Sequence, residues 1–273
     1  MKESLIRNLR VVYARTYVRV RGEAREVKWI FAEMTIPLLS VSAYVFMYKA
    51  LLGTQPALAN QYIGFVIIGG AMLAFWANVL WNMSAQFYWE KEVGNLDMYL
   101  VAPISRMAVL AGMALGGMVN TTLRALVILI AGAYIYQTTI LLSNFGSVLL
   151  IFFLTLIALY ALGMLFASLF MLYGREAWNT AQLLQEPVQF LSGFYFPDQG
   201  IGWLYAASSI LPVTWGLIGL RNLLILGKGF ADVWQIAVIL AVFIIILLPL
   251  ARFALSYMEN LGKREGRLTL RWQ

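Results

Sequence analysis

The sequence predicts an all-α integral membrane protein, and three observations support this. Hydrophobic residues make up 62% of the chain and charged residues 12%, against about 25% charged residues in soluble domains. The mean hydropathy is +0.77. The apolar stretches are about twenty residues or longer, which suits membrane helices and exceeds the strands of an outer-membrane barrel. Because lipid offers no partner for backbone polar groups, such stretches cross it as helices.

Residues 1–28 predict an amphipathic helix in the cytoplasmic interface of the membrane. The segment holds eight of the twenty Lys and Arg residues. At 100° per residue the apolar side chains, among them Leu5, Leu9 and Tyr13, share one arc, and Arg15 and Arg19 lie in the other. This pattern is typical of a helix at a lipid surface. A disordered basic tail is the alternative.

Six spans follow, each long enough for a bilayer core of about 30 Å. The segment 198–228 is broken by Pro212 into two pieces that are too short to cross, so it predicts two half-helices that enter and leave from the external side. Both termini are then cytoplasmic, and sixteen of the twenty Lys and Arg lie on that side, as the positive-inside rule requires. The predicted domain covers residues 29–254, and 255–273 form a basic tail. The six spans are 29–52, 61–87, 107–136, 147–172, 177–195 and 232–252.

Polar residues recur at helical spacing inside three of these spans, where lipid makes them costly. They predict a polar translocation path or a gate. Helix packing is the alternative, supported by the Gly112 and Gly116 pair, which permits close approach of two helices. Glu33 is expected to reach toward Lys28. A pairing between Arg124 in the third span and Glu186 in the fifth span stays open. The candidates are Asn78, Asn82, Asn120, Arg124, Asn179, Gln182, Glu186 and Gln189.

The composition excludes several kinds of catalytic site. The chain has no Cys and no His, so it has no zinc site of those ligands, no Ser-His or Cys-His hydrolytic site and no haem ligation by either residue. It also lacks a GxxxxGK[ST] phosphate-binding loop. We therefore expect no catalytic residue, no bound metal and no cofactor in this chain.

Residues 90–104 predict a short cytoplasmic helix between the second and third spans. Gly94 is expected to end the helix that leaves the membrane, Asn95 to cap a new one and Pro103 to stop it. Leu96, Tyr99 and Leu100 fall at i, i+3 and i+4 and would form an apolar face that enters a groove on a soluble partner. An ordinary loop packed on the bilayer interface is the alternative.

Two motifs carry a resemblance to a known family. The stretch from Glu92 to Arg106 resembles the cytoplasmic connector of type-2 ATP-binding-cassette (ABC) exporter permeases, with Asn95 where Thr is commoner and Asp97 where Glu is commoner. The second motif runs from Ser192 to Pro197 and is similar to the family's Ser-Gly-aromatic-Pro segment at the outer end of the fifth span. The resemblance assigns ATPase coupling to Glu92, Gly94, Leu96, Asp97, Tyr99, Leu100 and Pro103, and the external motif to Ser192, Gly193, Phe196 and Pro197.

The resemblance implies the membrane permease subunit of an exporter in the plasma membrane. It implies a separate ATPase subunit that binds ATP and Mg²⁺, a second permease chain of the same or another kind, and an amphipathic or lipid-like substrate. The subunit itself would be no enzyme and would bind no nucleic acid. Two alternatives stay open: an ion-coupled secondary transporter that uses Glu33, Arg124 and Glu186, and a membrane scaffold that transports nothing.

Overall fold

The structure, a computed structural model, describes residues 2–25, 27–171, 175–196 and 202–265. These residues form helices and no strand, so the predicted all-α class is confirmed. A seven-residue π-helix, Asn78–Ser84, joins α3 to α4 and was not predicted. The α-helices are α1 Lys2–Glu23, α2 Val27–Leu51, α3 Pro56–Ala77, α4 Gln86–Glu92, α5 Leu96–Val101, α6 Arg106–Tyr136, α7 Phe145–Phe170, α8 Arg175–Leu191, α9 Gly202–Ser208, α10 Pro212–Leu224 and α11 Phe230–Glu265.

Five helices among the described residues are long and apolar enough to cross a membrane, and six if α9 and α10 count as one broken span. The five are Ile30–Leu51 of α2, the continuous stretch Pro56–Glu92, α6, α7 and α11. The predicted fifth span corresponds to α8, which is helical but has only 17 residues. It is about 25 Å long and carries polar residues along one side, so it does not belong to these five.

Three of the long helices exceed the thickness of a bilayer. Pro56–Glu92, α6 and α11 have 37, 31 and 36 residues, or about 46 to 55 Å at 1.5 Å per residue. The start of α6 meets the last part of α11, because Arg106 of α6 pairs with Glu259 of α11 at 2.9 Å. We call this end of the bundle, which also holds α4 and α5, the connector end, and the opposite end the far end.

Helices α9 and α10 form a sharply bent pair, as Pro212 predicted. The bend is 109°, and Pro212 is the first residue of α10. Gly216 packs against Thr155 inside the bundle, whereas the carbonyl of Leu224 accepts a hydrogen bond from the backbone of Leu141 at 2.8 Å, in the α6–α7 loop at the far end. Helix α10 therefore begins inside the bundle and ends at the far end.

Helix α1 runs alongside the first half of α6, and glycines let the two backbones approach closely. A Cβ added at Gly112 would lie 2.7 Å from the carbonyl oxygen of Val12, and one at Gly116 would lie 2.7 Å from the Cβ of Arg19. Thr16 donates to the Gly112 carbonyl at 3.0 Å. The packing interpretation of the Gly112 and Gly116 pair is thus confirmed, and the helix it receives is α1.

Gly112→Ala is expected to lower the thermal stability of the protein. The new Cβ would meet the Val12 carbonyl and the Cβ of Arg15 at 2.8 Å, and such overpacking costs about 1 to 3 kcal/mol, more than the gain of about 1 kcal/mol in helix propensity. Gly146→Ala is the matched control, since nothing lies within 4 Å of a Cβ there. Thermal unfolding in detergent measures both, and equal transition temperatures would contradict the proposed contact.

Candidate functional site

The connector between α4 and α6 has the local geometry that the sequence predicted. Gly94 has a φ of 80°, which favours glycine. The backbone of Asn95 donates to the Glu90 carbonyl at 2.8 Å and closes the end of α4. Asn95 precedes α5, although its side chain makes no capping hydrogen bond, and α5 ends before Pro103. The connector is therefore a defined six-residue helix between two turns.

Helix α5 is tied to α1 and α6 by polar contacts. Arg15 donates to the hydroxyl of Tyr99 and to the carboxylate of Glu90, both at 2.6 Å. Burial is the main cause that raises the pKa of Tyr99 above its ordinary value, so Tyr99 accepts this bond as a neutral phenol. Arg106 donates to the Leu100 carbonyl at 3.1 Å. Movement of α5 would therefore pull on both neighbouring helices.

The same contacts continue along α1 toward the middle of α6. Arg19 pairs with Glu23 and donates to Gln86 at 3.2 Å. Glu23 accepts from Asn120 at 2.7 Å and pairs with Arg124 at 3.2 Å. The open question about Arg124 thus has an answer that the sequence did not suggest: it pairs with Glu23. We call this group the connector cluster; its members are Arg15, Arg19, Glu23, Gln86, Glu90, Tyr99, Asn120 and Arg124.

The connector cluster pairs each of its carboxylates with at least one arginine and borders a cavity. Glu90 is only 7% exposed, and a carboxylate so buried requires a cation beside it; Arg15 supplies it. A cavity of about 310 Å³ opens between α1 and α4, lined by Arg15, Val18, Arg19, Gly22, Glu23, Gln86 and Glu90. Among the described residues, no group of three acidic side chains is placed to hold a metal ion.

Matching residue spacings on α1 and α6 could have revealed these contacts. Arg15, Arg19 and Glu23 repeat every four residues on α1, and they meet the ridge of α6 that starts at Gly112 and also advances by four. The sequence predicted that the two arginines lie on the polar arc of an interfacial helix, and it did not single out Glu23 or Glu90. A helical projection treats each helix alone, so a polar side that faces another helix looks the same as a side that faces headgroups.

The apolar face predicted for α5 is turned toward the chain's own core. Leu96 is 2% exposed, and Tyr99 and Leu100 are half-buried. The side that points away instead carries Val93, Met98 and Val101, which are 71%, 63% and 87% exposed. Glu92 and Pro103 are also exposed, and the side chain of Asp97 lies outside the described residues. We call Val93, Met98 and Val101 the connector tip.

The predicted path residues of the second span, Asn78 and Asn82, lie within the π-helix. Asn78 is buried and accepts a hydrogen bond from Tyr160 of α7 at 2.9 Å. Asn82 lies four residues further, half-buried, and Gln86 belongs to the connector cluster. A π-helix has more residues per turn than an α-helix, so the predicted ridge with a period of four does not continue straight through it.

The polar residues of α8 face away from the rest of the chain. Asn179, Gln182 and Glu186 are exposed, and Gln189 is half-buried. At the edge of this arc Gln185 accepts a hydrogen bond from the indole of Trp81 in the π-helix. The predicted arc of α8 is therefore available to a second molecule or to a polar path.

The predicted external motif forms a tight turn at the far end of α8. Gly193 has a φ of 66°, Ser192 is 1% exposed, and Phe196 is half-buried. Tyr48 of α2 donates to the carbonyl of Tyr195 at 3.2 Å. Pro197 lies outside the described residues. We call residues 192–196 the outer turn.

Comparison with known families gives one match. The family model described as ABC-2 type transporter matches residues 9–225, from α1 to just past the end of α10. The matched region includes the whole connector cluster, the connector tip and the outer turn. No curated protein sequence matches the chain.

Arg15→Gln is expected to loosen the connector. It removes the cation beside the buried Glu90 and the donor to Tyr99, and breaking a buried pair costs about 3 to 5 kcal/mol. Arg10→Gln, on the exposed side of the same helix, is the control. Hydrogen exchange of residues 94–101 should accelerate in the first variant and stay unchanged in the second; equal protection in both would show that Arg15 does not hold α5.

Proposed function

Since the chain belongs to the ABC-2 type transporter family and is a permease subunit of an ABC transporter, we propose that it exports an amphipathic or lipid-like substrate. The substrate would leave the cytoplasm or the inner leaflet of the plasma membrane. A separate subunit, which the family implies, would bind ATP and Mg²⁺ and hydrolyse the nucleotide. A second permease chain would complete the path. The observation that carries this proposal is an exposed apolar tip on a connector that is braced by buried charges.

The connector tip is where the ATPase would dock. Three large apolar side chains lie exposed around a six-residue helix, beside basic residues that favour the cytoplasmic side. A helix this short is not stable by itself, and Leu96, Tyr99 and the connector cluster hold it in place. Such a rigid apolar projection fits a groove on a soluble partner.

The connector cluster would carry the motion of the ATPase into the membrane. Arg15 joins α5 to α1, and Glu23 joins α1 to Asn120 and Arg124 of α6. A displacement of α5 therefore reaches α6 through α1 as well as through the chain itself. Packed helices shift between discrete arrangements as rigid bodies, which suits a transport cycle with two states.

The polar face of α8 would meet the second permease chain and line the path. Among the described residues Glu186 has no ion-pair partner, and a carboxylate without one is costly against lipid, so a polar or protein surface has to cover it. The mixed face, with Gln182 and Glu186 beside the exposed Leu183 and Phe190, fits a substrate that has polar and apolar parts. This mixed character is the support for an amphipathic substrate.

Met98→Asp and Val101→Asp are each expected to abolish co-purification of the partner ATPase. A carboxylate buried without a partner in an apolar interface costs several kcal/mol, which amounts to a loss of about a hundredfold or more in affinity. Both side chains point away from the permease, so its own folding should be unaffected. Pull-down of the permease with the ATPase from its native membrane measures the effect.

Two controls separate docking from folding in this experiment. Leu142→Asp places the same charge on an exposed loop residue at the far end and should leave assembly intact. Leu96→Asp should destabilise the permease itself, because Leu96 is buried within the chain. Retained ATPase binding in both tip variants would refute docking at the connector tip.

A photo-crosslinking residue at Gln182 is expected to capture a second permease chain. The side chain at this position faces away from its own chain on α8, and mass spectrometry of the product identifies whether the captured chain is a second copy. The same probe at Phe153, exposed on α7, should react mainly with lipid. Capture at Phe153 but not at Gln182 would place the subunit interface elsewhere.

A further inference from the structure

Arg221 of α10 is a buried cation that joins three parts of the chain at the far end. It is 6% exposed. Its Nη2 atom donates to the carbonyls of Gly193 and Phe194 at 2.8 Å each and to the carbonyl of Phe65 in α3 at 3.2 Å. Its guanidinium also lies 5.3 Å from the centre of the Phe65 ring. Arg221 therefore links α10 to α3 and to the outer turn.

The chemistry of the outer turn explains why an arginine is suited to this position. Backbone carbonyls are strong acceptors that need a partner when they are buried. Gly193 and Phe194 lie two and three residues past the end of α8, and their carbonyls converge on one guanidinium. The planar, permanently charged guanidinium can serve several acceptors at once.

The outer turn is also held by direct backbone contact with α3. A Cβ added at Gly69 would lie only 1.6 Å from the carbonyl oxygen of Phe194, so the turn touches the α3 backbone. On the other side the ring of Tyr195 stacks on Tyr44 of α2, with centroids 4.2 Å apart. The end of α8 is thus fixed by α2, α3 and α10 together, whereas its polar face along the helix is exposed.

We propose that Arg221 is a positioning residue that fixes the far end of α8 to α3 and α10, so that α8 pivots about the outer turn during transport. The fixation stands on the contacts above; the pivot rests on the proposed function. In this arrangement the exposed polar face of α8 swings most at the connector end and least at the outer turn.

Thiol labelling can test the fixation directly, because the chain has no cysteine of its own. Ser192→Cys places a thiol in the buried outer turn, and its reaction with a maleimide in detergent reports opening of that turn. Adding Arg221→Met is expected to speed labelling about tenfold, because local opening exposes buried groups. Arg221→Lys should give an intermediate rate, since lysine keeps the charge but not the planar fork.

Two controls separate local opening from general unfolding. Ser168→Cys places a thiol in the buried part of α7 and should react at the same rate in all backgrounds. Arg252→Met removes an exposed arginine of α11 and should not alter labelling at Ser192→Cys. Unchanged labelling of the outer turn in Arg221→Met, or a parallel rise at Ser168→Cys in both Arg221 variants, would overturn the fixation.

The pivot is tested in the assembled permease and ATPase. Addition of ATP and vanadate should change labelling at Asn179→Cys by several-fold more than at Ser192→Cys; an equal change at both ends of α8 would overturn the pivot. Arg221→Met should leave ATPase co-purification unchanged, because Arg221 lies at the far end. Failure of the unsubstituted chain to bring down an ATPase would reject the proposed function and leave the labelling result on fixation standing.

Discussion

The need to pair charges that are removed from water shapes the connector end. Glu90 and Arg124 are both largely buried, and a single uncompensated charge at such a site costs several kcal/mol. Arg15 and Glu23 of α1 satisfy them, so α1 must lie against α4 and α6 with its polar side inward. The apolar residues Leu5, Leu9 and Tyr13 are then exposed on the other side, as suits a helix that borders lipid. Gly112 and Gly116 of α6 let α1 approach closely enough for Thr16 to donate to the Gly112 carbonyl at 3.0 Å.

The two ends of the molecule differ because three helices are longer than the bilayer is thick. Pro56–Glu92, α6 and α11 exceed the bilayer by about 15 Å or more, and the excess supports the connector cluster and the Arg106–Glu259 pair. At the far end, by contrast, α9 and α10 are short, and Arg221 and the stacked rings of Tyr44 and Tyr195 hold the outer turn. Rigid helices that run through the whole bundle can carry a displacement from one end to the other without local unfolding.

Much of the local architecture could be predicted from the sequence, because single residues decide it. Gly94 and Pro103 bound α5, and Pro212 separates α9 from α10, since positive φ and a missing amide act within a few residues. The orientation of α5 was not predictable in this way: Leu96 and Met98 are both apolar, and only the tertiary fold decides which faces the core. The partner of Arg124 and the π-helix at Asn78 likewise depend on contacts between helices distant in sequence. The predicted fifth span is helical as α8, but its 17 described residues are fewer than those of the five long helices.

Helix α8 is fixed at one end, so a small tilt displaces its connector end much more than its outer end. The helix is fixed at the outer turn by Arg221, Gly69 and Tyr195, while Asn179, Gln182 and Glu186 on its polar face are exposed. Over 17 residues, or about 25 Å, a tilt of about 10° moves its connector end by about 4 Å. That distance exceeds the reach of a hydrogen bond, so contacts of Asn179 and Gln182 across a subunit seam would break while those of the outer turn persist. In the proposed pivot, a helix held in this way would convert a modest push from the connector into an opening on one side of the membrane only.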